Sequence, residues 1–150
     1  MTVLIDTNIL VALADSDHRG HGDVVAALER LEDAGHVCVI VPQVIYEFWV
    51  VATRPREQNG LGLSVADADA AVEERAGLFR LLLDERGVFI RWKELVRTHE
   101  VRGKLAHDAR LVAAMQRHGI ESILTFNAAD FQRFTSIKVL TPTDPALRAD

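Results

Sequence analysis

At 150 residues the chain suits a single domain with a sizeable buried core. Its 49% hydrophobic and 26% charged content excludes a disordered polypeptide. A net charge of −5 excludes a broad electrostatic grip on nucleic acid, although a carboxylate site holding a cation can still meet phosphate, because the ion reverses the local sign.

In chain order, TVLI (2–5) predicts a short buried strand, followed by a helix from about Asn8 to Ala14. HGDVVAALERLEDAG places Val24, Val25, Leu28 and Leu31 at helical spacing and closes on Gly35, a helix stop. VCVIV (37–41) is a β-branched run ended by Pro42 and predicts a second strand. QVIYEFWVVATR (43–54) fits a helix that stops before Pro55, and REQNGLGLS (56–64) is a polar, glycine-bearing loop. Residues 64–87 predict a long helix capped by Ser64, and VFIRW (88–92) a third strand. A periodic helix over 103–119 ends on Gly119. SILTF (122–126), NAADFQRF (127–134) and SIKVLTP (136–142) then predict a strand, a short helix and a strand.

Short apolar strands alternating with helices imply an α/β domain with a parallel sheet of about five strands, covered by helices on both faces. It occupies residues 1–142, with a polar, loosely held tail at 143–150. No apolar run reaches the roughly 18–20 residues that span a bilayer. No basic segment precedes the N-terminal apolar run, so a secretory signal is not expected and the cytoplasm is the expected location. The lone Cys38 excludes an intramolecular disulfide and reads as a small core residue.

Four carboxylates stand where an acid is unexpected. Asp6 ends the first apolar run at the sheet edge where ligands gather, and Thr7 or Asn8 can cap the next helix in its place. Glu47 has Val44, Val50 and Val51 at i−3, i+3 and i+4, so it interrupts an apolar stripe. Asp108 does the same among Leu105, Leu111 and Val112, with Lys104 one turn earlier as a candidate partner. A buried acid takes up a proton, pairs with a cation or binds a metal, so Glu47 has either an arginine partner or a ligand's role. Asp130 follows Asn127 by three residues, which fits a helix-capping pair as well as a site.

If these acids converge, repulsion of about 4 kcal/mol per pair 4 Å apart, at an effective dielectric near 20, calls for protons or a divalent ion. An all-oxygen set favours Mg²⁺ or Mn²⁺ over zinc. The six histidines form no convincing ligand set. His18 and His21, in HRGH, fall in the loop leading into a helix, and His107 points about 100° away from Asp108 around its helix.

LIDTNILVAL at the start, PQVIYEFWVV around Glu47, LAHDARLVAAM around Asp108 and LTFNAADFQRF near the end together resemble the PIN-domain ribonucleases, and among them the VapC-type toxins. The resemblance runs over almost the whole chain in the family's order. It implies a three-layer PIN fold and a Mg²⁺- or Mn²⁺-dependent endoribonuclease, which cuts RNA to leave a 5′-phosphate and a 3′-hydroxyl. It implies that Asp6, Glu47 and Asp108 form the metal site and that Asp130 or Asn127 completes it. In the family the further acid commonly follows the strand-four threonine closely, where this chain has Asn127. Thr7, Asn8 and Thr125 resemble the polar residues that support metal or phosphate. Arg54, Arg56 and Arg102 lie near the motif-bearing segments and are candidates for phosphate contacts. The resemblance also implies a small antitoxin partner and a homodimer. Phe48 and Trp49, and a leucine-rich face of the 64–87 helix, are candidate partner surfaces.

Two other classes compete. A PIN-like module that binds RNA or protein without cutting is one, and an aspartate-based phosphatase is the other. The latter usually carries a second aspartate two residues after the first, where this chain has Asn8. A response-regulator receiver would need an acidic pair near the first strand, and none is there.

Overall fold

A computed structural model describes residues 1–147. The central strand β1 (Thr2–Ile5) leads into helices α1 (Thr7–Ala14) and α2 (His21–Asp33). Next come β2 (Val37–Ile40), α3 (Pro42–Thr53), α4 (Val65–Leu78) and β3 (Arg80–Leu81). The chain finishes with α5 (Val88–Thr98), α6 (Leu105–His118), β4 (Ser122–Leu124), α7 (Ala128–Phe131) and β5 (Lys138–Leu140). The five strands lie in the order β3-β2-β1-β4-β5, every neighbouring pair parallel.

That order dictates the layers. The path from β1 to β2 to β3 runs one way across the sheet, and right-handed crossovers keep α1 to α4 on one face. The return to β4 and β5, on the far side of β1, carries α5, α6 and α7 to the other face. The packing agrees: α1 lies against α2 and α3, and α3 against α4, whereas α6 lies against α5 and α7. Strands covered on both sides must be apolar throughout, and Val3, Leu4, Ile5, Val39, Ile40, Ile123 and Leu124 are buried. The direction in which successive strands are added across the sheet reverses between β1 and β4, so the carboxyl ends of these two parallel strands form the crevice where such sheets take ligands. Asp6 and Thr125 stand there.

Several local expectations need correction. The helix predicted over 64–87 ends at Leu78, and Arg80–Leu81 forms the third strand, paired with Val39 and Ile40. VFIRW is not a strand but the first half of α5. Its β-branched and aromatic residues lose to an 11-residue amphipathic pattern, in which Val88, Trp92, Leu95 and Val96 turn towards α6. Gly87, at φ +93°, provides the left-handed turn that starts it. The leucine-rich segment therefore offers no helix face, because Leu82 and Leu83 follow β3 in a loop. Phe48 is fully buried and so is no partner surface, whereas Trp49 packs on the core but stays half-buried; Tyr46 and Val50 are the exposed residues of α3. Val50 thus drops out of the apolar stripe beside Glu47. In the expected tail, Pro145–Leu147 form a 3₁₀ turn beside α2 with Leu147 buried, so this part is held; residues 148–150 lie outside the described residues.

Candidate functional site

Asp6 is the first residue beyond β1, and its backbone N–H still donates to the Leu124 carbonyl, which fixes it beside β4. Contrary to expectation it is itself the cap of α1: one carboxylate oxygen accepts the Thr7 N–H at 2.7 Å. The other accepts the Thr125 hydroxyl at 2.7 Å, with the Asn8 amide at 3.4 Å. Capping and a role in chemistry are compatible, because the helix N-terminus favours the ionised form that a cation would also need.

Thr125 is a hub with no spare capacity. Its hydroxyl donates to Asp6 and accepts from the Asn8 side chain at 3.2 Å and the Asn127 N–H at 3.0 Å. One donor and two lone pairs are thereby used. Asn8 in turn accepts the Phe126 N–H at 3.1 Å, which ties the loop after β4 to the start of α1.

Glu47 faces the same place from α3. One of its oxygens accepts the Thr7 hydroxyl at 2.7 Å and the other accepts the Gln43 amide at 3.0 Å. Gln43 is a residue that sequence reasoning missed, although its i, i+4 spacing from Glu47 was a readable signal. It is buried, donates as well to the His107 carbonyl at 2.9 Å, and accepts from Arg110 at 2.8 Å. Arg110 therefore reaches the acids only through an amide, and its own ion pair is with Asp84.

Asp108 projects from the first turn of α6, half-buried. Asp6, Thr7, Asn8, Glu47, Asp108 and Asn127 line one cleft of about 280 Å³, which His18, Val11 and Val51 complete. Asp130 stands outside that lining but close enough for its charge to act on Asp6 and Asp108. The expected capping bond from the Asn127 side chain is absent; only its backbone carbonyl receives the Asp130 N–H. The three arginines are not brought in. Arg54 is turned onto the Asn59 carbonyl of its own loop, and Arg56 and Arg102 are exposed elsewhere.

No ion pair among the described residues reaches the acids. Ion pairs among the described residues are Arg75–Glu74, Arg110–Asp84 and Arg117–Glu85, none of which involves the cleft. Burial raises the Asp6 carboxyl above its usual range, against the pull of Thr125 and the Thr7 N–H. Burial, followed by the charges of Asp6, Asp130 and Glu47, pushes Asp108 up to about 7, and Lys104 only partly offsets this. A larger hollow of about 640 Å³ lies beside the start of β2, lined by Leu28, Cys38 and Phe79 among others. It holds no such network, so size does not choose the site here.

The donor set is all oxygen, partly desolvated and short of positive charge, which fits a hard divalent cation. Among the described residues no three Asp, Glu, His or Cys side chains already converge to grip an ion. Glu47 is held instead by the Thr7 hydroxyl and the Gln43 amide.

Comparison with known proteins agrees with this fold. The PIN domain family profile matches residues 3–136. Among solved structures, VapBC2 from Rickettsia felis, bound to a DNA fragment from its promoter, is similar at 14% identity, with a TM-score of 0.71 over 94% of this chain and 98% of the other. VapBC-1 from nontypeable Haemophilus influenzae matches at 16% identity and a TM-score of 0.71, over 96% and 100%. VapC20 of Mycobacterium tuberculosis, a toxin that cleaves the sarcin–ricin loop, matches at 22% identity and a TM-score of 0.57, over 81% and 86%. No curated protein matches the sequence.

Proposed function

The chain belongs to the PIN domain family, and we propose on that footing that it is a metal-dependent endoribonuclease, the toxin of a toxin–antitoxin pair. The observation that supports this reading is that acids from the end of β1, from α3 and from α6 line one cleft with no ion pair to them among the described residues. A purely structural cluster of acids would be expected to carry its own arginines.

Asp6 and Asp108 would hold Mg²⁺ or Mn²⁺, with Glu47 and Asp130 adding negative charge around it. Bound there, the ion would supply a water of lowered pKa and positive charge for the phosphodiester oxygens. Thr125 and the Thr7 N–H hold the two oxygens of Asp6 in fixed directions. Gln43 and the Thr7 hydroxyl do the same for Glu47, so the carboxylates are oriented before substrate arrives. Asn127, at the rim, offers an amide to a phosphate oxygen or a base. With a net charge of −5 and no arginine among the described residues that line the cleft, RNA binding would rest on the cation and on contacts to unpaired bases. The partner would be a small antitoxin protein, as the VapBC neighbours are toxin–antitoxin complexes, and a homodimer is the expected state.

A second reading, a binding module that does not cut, is favoured by Asn127 lining the cleft where the family commonly places an acid. One experiment separates the two: single-stranded RNA is incubated with Mg²⁺, with Mn²⁺ or with EDTA, using the wild type and folded Asp6→Asn and Asp108→Asn proteins. Cleavage by the wild type with metal alone supports the nuclease. Undiminished cleavage in EDTA rejects the metal mechanism, and binding without cleavage favours the module.

A further inference from the structure

We propose that His18 and Phe126 form a stacking shelf for one base of the RNA beside the acidic cleft, so that the HRGH segment positions substrate. This rests on the nuclease reading and adds to it the place where a base is held.

The Phe126 ring lies in the loop after β4, between the hub residue Thr125 and the rim residue Asn127, and its N–H is fixed on Asn8. It is 36% exposed, high for a phenylalanine whose two neighbours belong to the site. His18 lines the cleft itself and stacks on Phe126, with ring centroids 5.8 Å apart and planes within 24°. Gly20 is buried beneath the pair: a Cβ there would lie 2.6 Å from Phe126 Cζ and 3.4 Å from His18 Nδ1. A side chain at this position would push the Phe126 ring out of its place.

Both ends of HRGH are pinned. His18 Nδ1 accepts the Gly20 N–H at 2.9 Å, which puts the proton of the neutral ring on Nε2. His21 Nδ1 lies 2.8 Å from the Ala12 carbonyl and anchors the segment to α1. A pre-positioned aromatic pair at the edge of a phosphate-cutting site has the chemistry of single-strand recognition, in which bases stack on Phe and His while the backbone meets the charged centre. Stacking is tolerant of base identity, so the shelf would hold a nucleotide in register rather than read its sequence.

The test uses short single-stranded RNAs cut by the wild type, each also made with a single abasic position near the cleavage site. Binding is followed by fluorescence anisotropy in Ca²⁺, and KM and kcat in Mg²⁺ or Mn²⁺. Wild type should lose affinity roughly 5- to 150-fold at one abasic position, the range expected for removing one base–aromatic stack. Phe126→Leu keeps an apolar side chain over Gly20, and His18→Gln keeps a polar acceptor for the Gly20 N–H. Both should bind the intact RNA less tightly yet lose nothing further at that abasic position, whereas Phe126→Trp should keep the sensitivity. Unchanged abasic sensitivity in Phe126→Leu, or a wild type indifferent to every abasic position, would overturn the shelf while leaving the nuclease reading intact. Variants that keep RNA affinity but escape a purified antitoxin would assign the pair to the protein partner and overturn it equally. A wild type that neither binds nor cuts RNA would remove both readings together.

Discussion

Asp108 carries the clearest electrostatic signature. Its carboxyl is raised from an ordinary 3.8 to about 7 in the folded protein, first by burial and then by three neighbouring acids. A raised acid stabilises the fold while it is protonated, so its contribution is complete below about pH 4 and is lost as pH rises through about 7. Metal-free protein should therefore melt at lower temperature at pH 8 than at pH 5, and Asp108→Asn should remove much of that difference. Mg²⁺ or Mn²⁺ should raise the wild-type melting temperature more at pH 8, where no proton competes for the site. A wild type and variant with parallel pH profiles would contradict this. Thr125→Val tests the hub: it strips the Asp6 oxygen of its shorter hydrogen bond and leaves the Asn127 N–H facing a methyl group. The expected loss is about 1–3 kcal/mol by chemical denaturation, with a larger loss of cleavage. The acids were legible in the sequence because a carboxylate set among valines and leucines must meet a proton, a cationic side chain or a metal ion. The Asp6 cap was not, since Thr7 and Asn8 were equally able to cap and only the backbone at residue 6 decides between them.

Elements position these residues, and they were less evenly legible. Runs bounded by Gly35, Pro42, Pro55 and Gly119 were readable because proline fixes φ and removes a donor, while glycine freely takes the positive φ that ends a helix. The region from 79 to 98 was not: RLLL and VFIRW are both short apolar runs, and only packing on α6 and pairing with β2 decide which is strand. On α3 the sequence showed Glu47 but not the Gln43 amide that joins it to Arg110 and α6. Gln43→Ala should raise the metal concentration needed for half-maximal cleavage, with activity down roughly 10- to 100-fold, as for other residues that orient a ligand. An unchanged metal dependence would leave Gln43 as packing alone. The loop between α3 and α4 is equally exacting. A Cβ on Gly60 would lie 1.9 Å from the Arg54 carbonyl oxygen, a backbone atom that cannot swing aside. Gly60→Ala should cost about 1–3 kcal/mol in denaturant unfolding without altering the metal dependence of the remaining folded protein.

Across the whole molecule, topology explains why acids 41 and 61 residues apart along the chain can share a cleft. Asp6 and Thr125 end adjacent strands at the reversal point of the sheet, α3 brings Glu47 from one layer, and α6 brings Asp108 from the other. The alternation of strands and helices made this order readable. Neither the 280 Å³ cleft nor the exclusion of Arg54, Arg56 and Arg102 from it was readable, because side-chain direction depends on contacts far along the chain. The most direct test of the account is calorimetric titration of Mn²⁺ into wild-type protein and into Asp6→Asn and Asp108→Asn proteins that keep their far-ultraviolet circular dichroism. Saturable binding by the wild type that both substitutions abolish is the predicted result. Binding that survives both changes, or a wild type that takes up no ion at millimolar Mn²⁺, would contradict it.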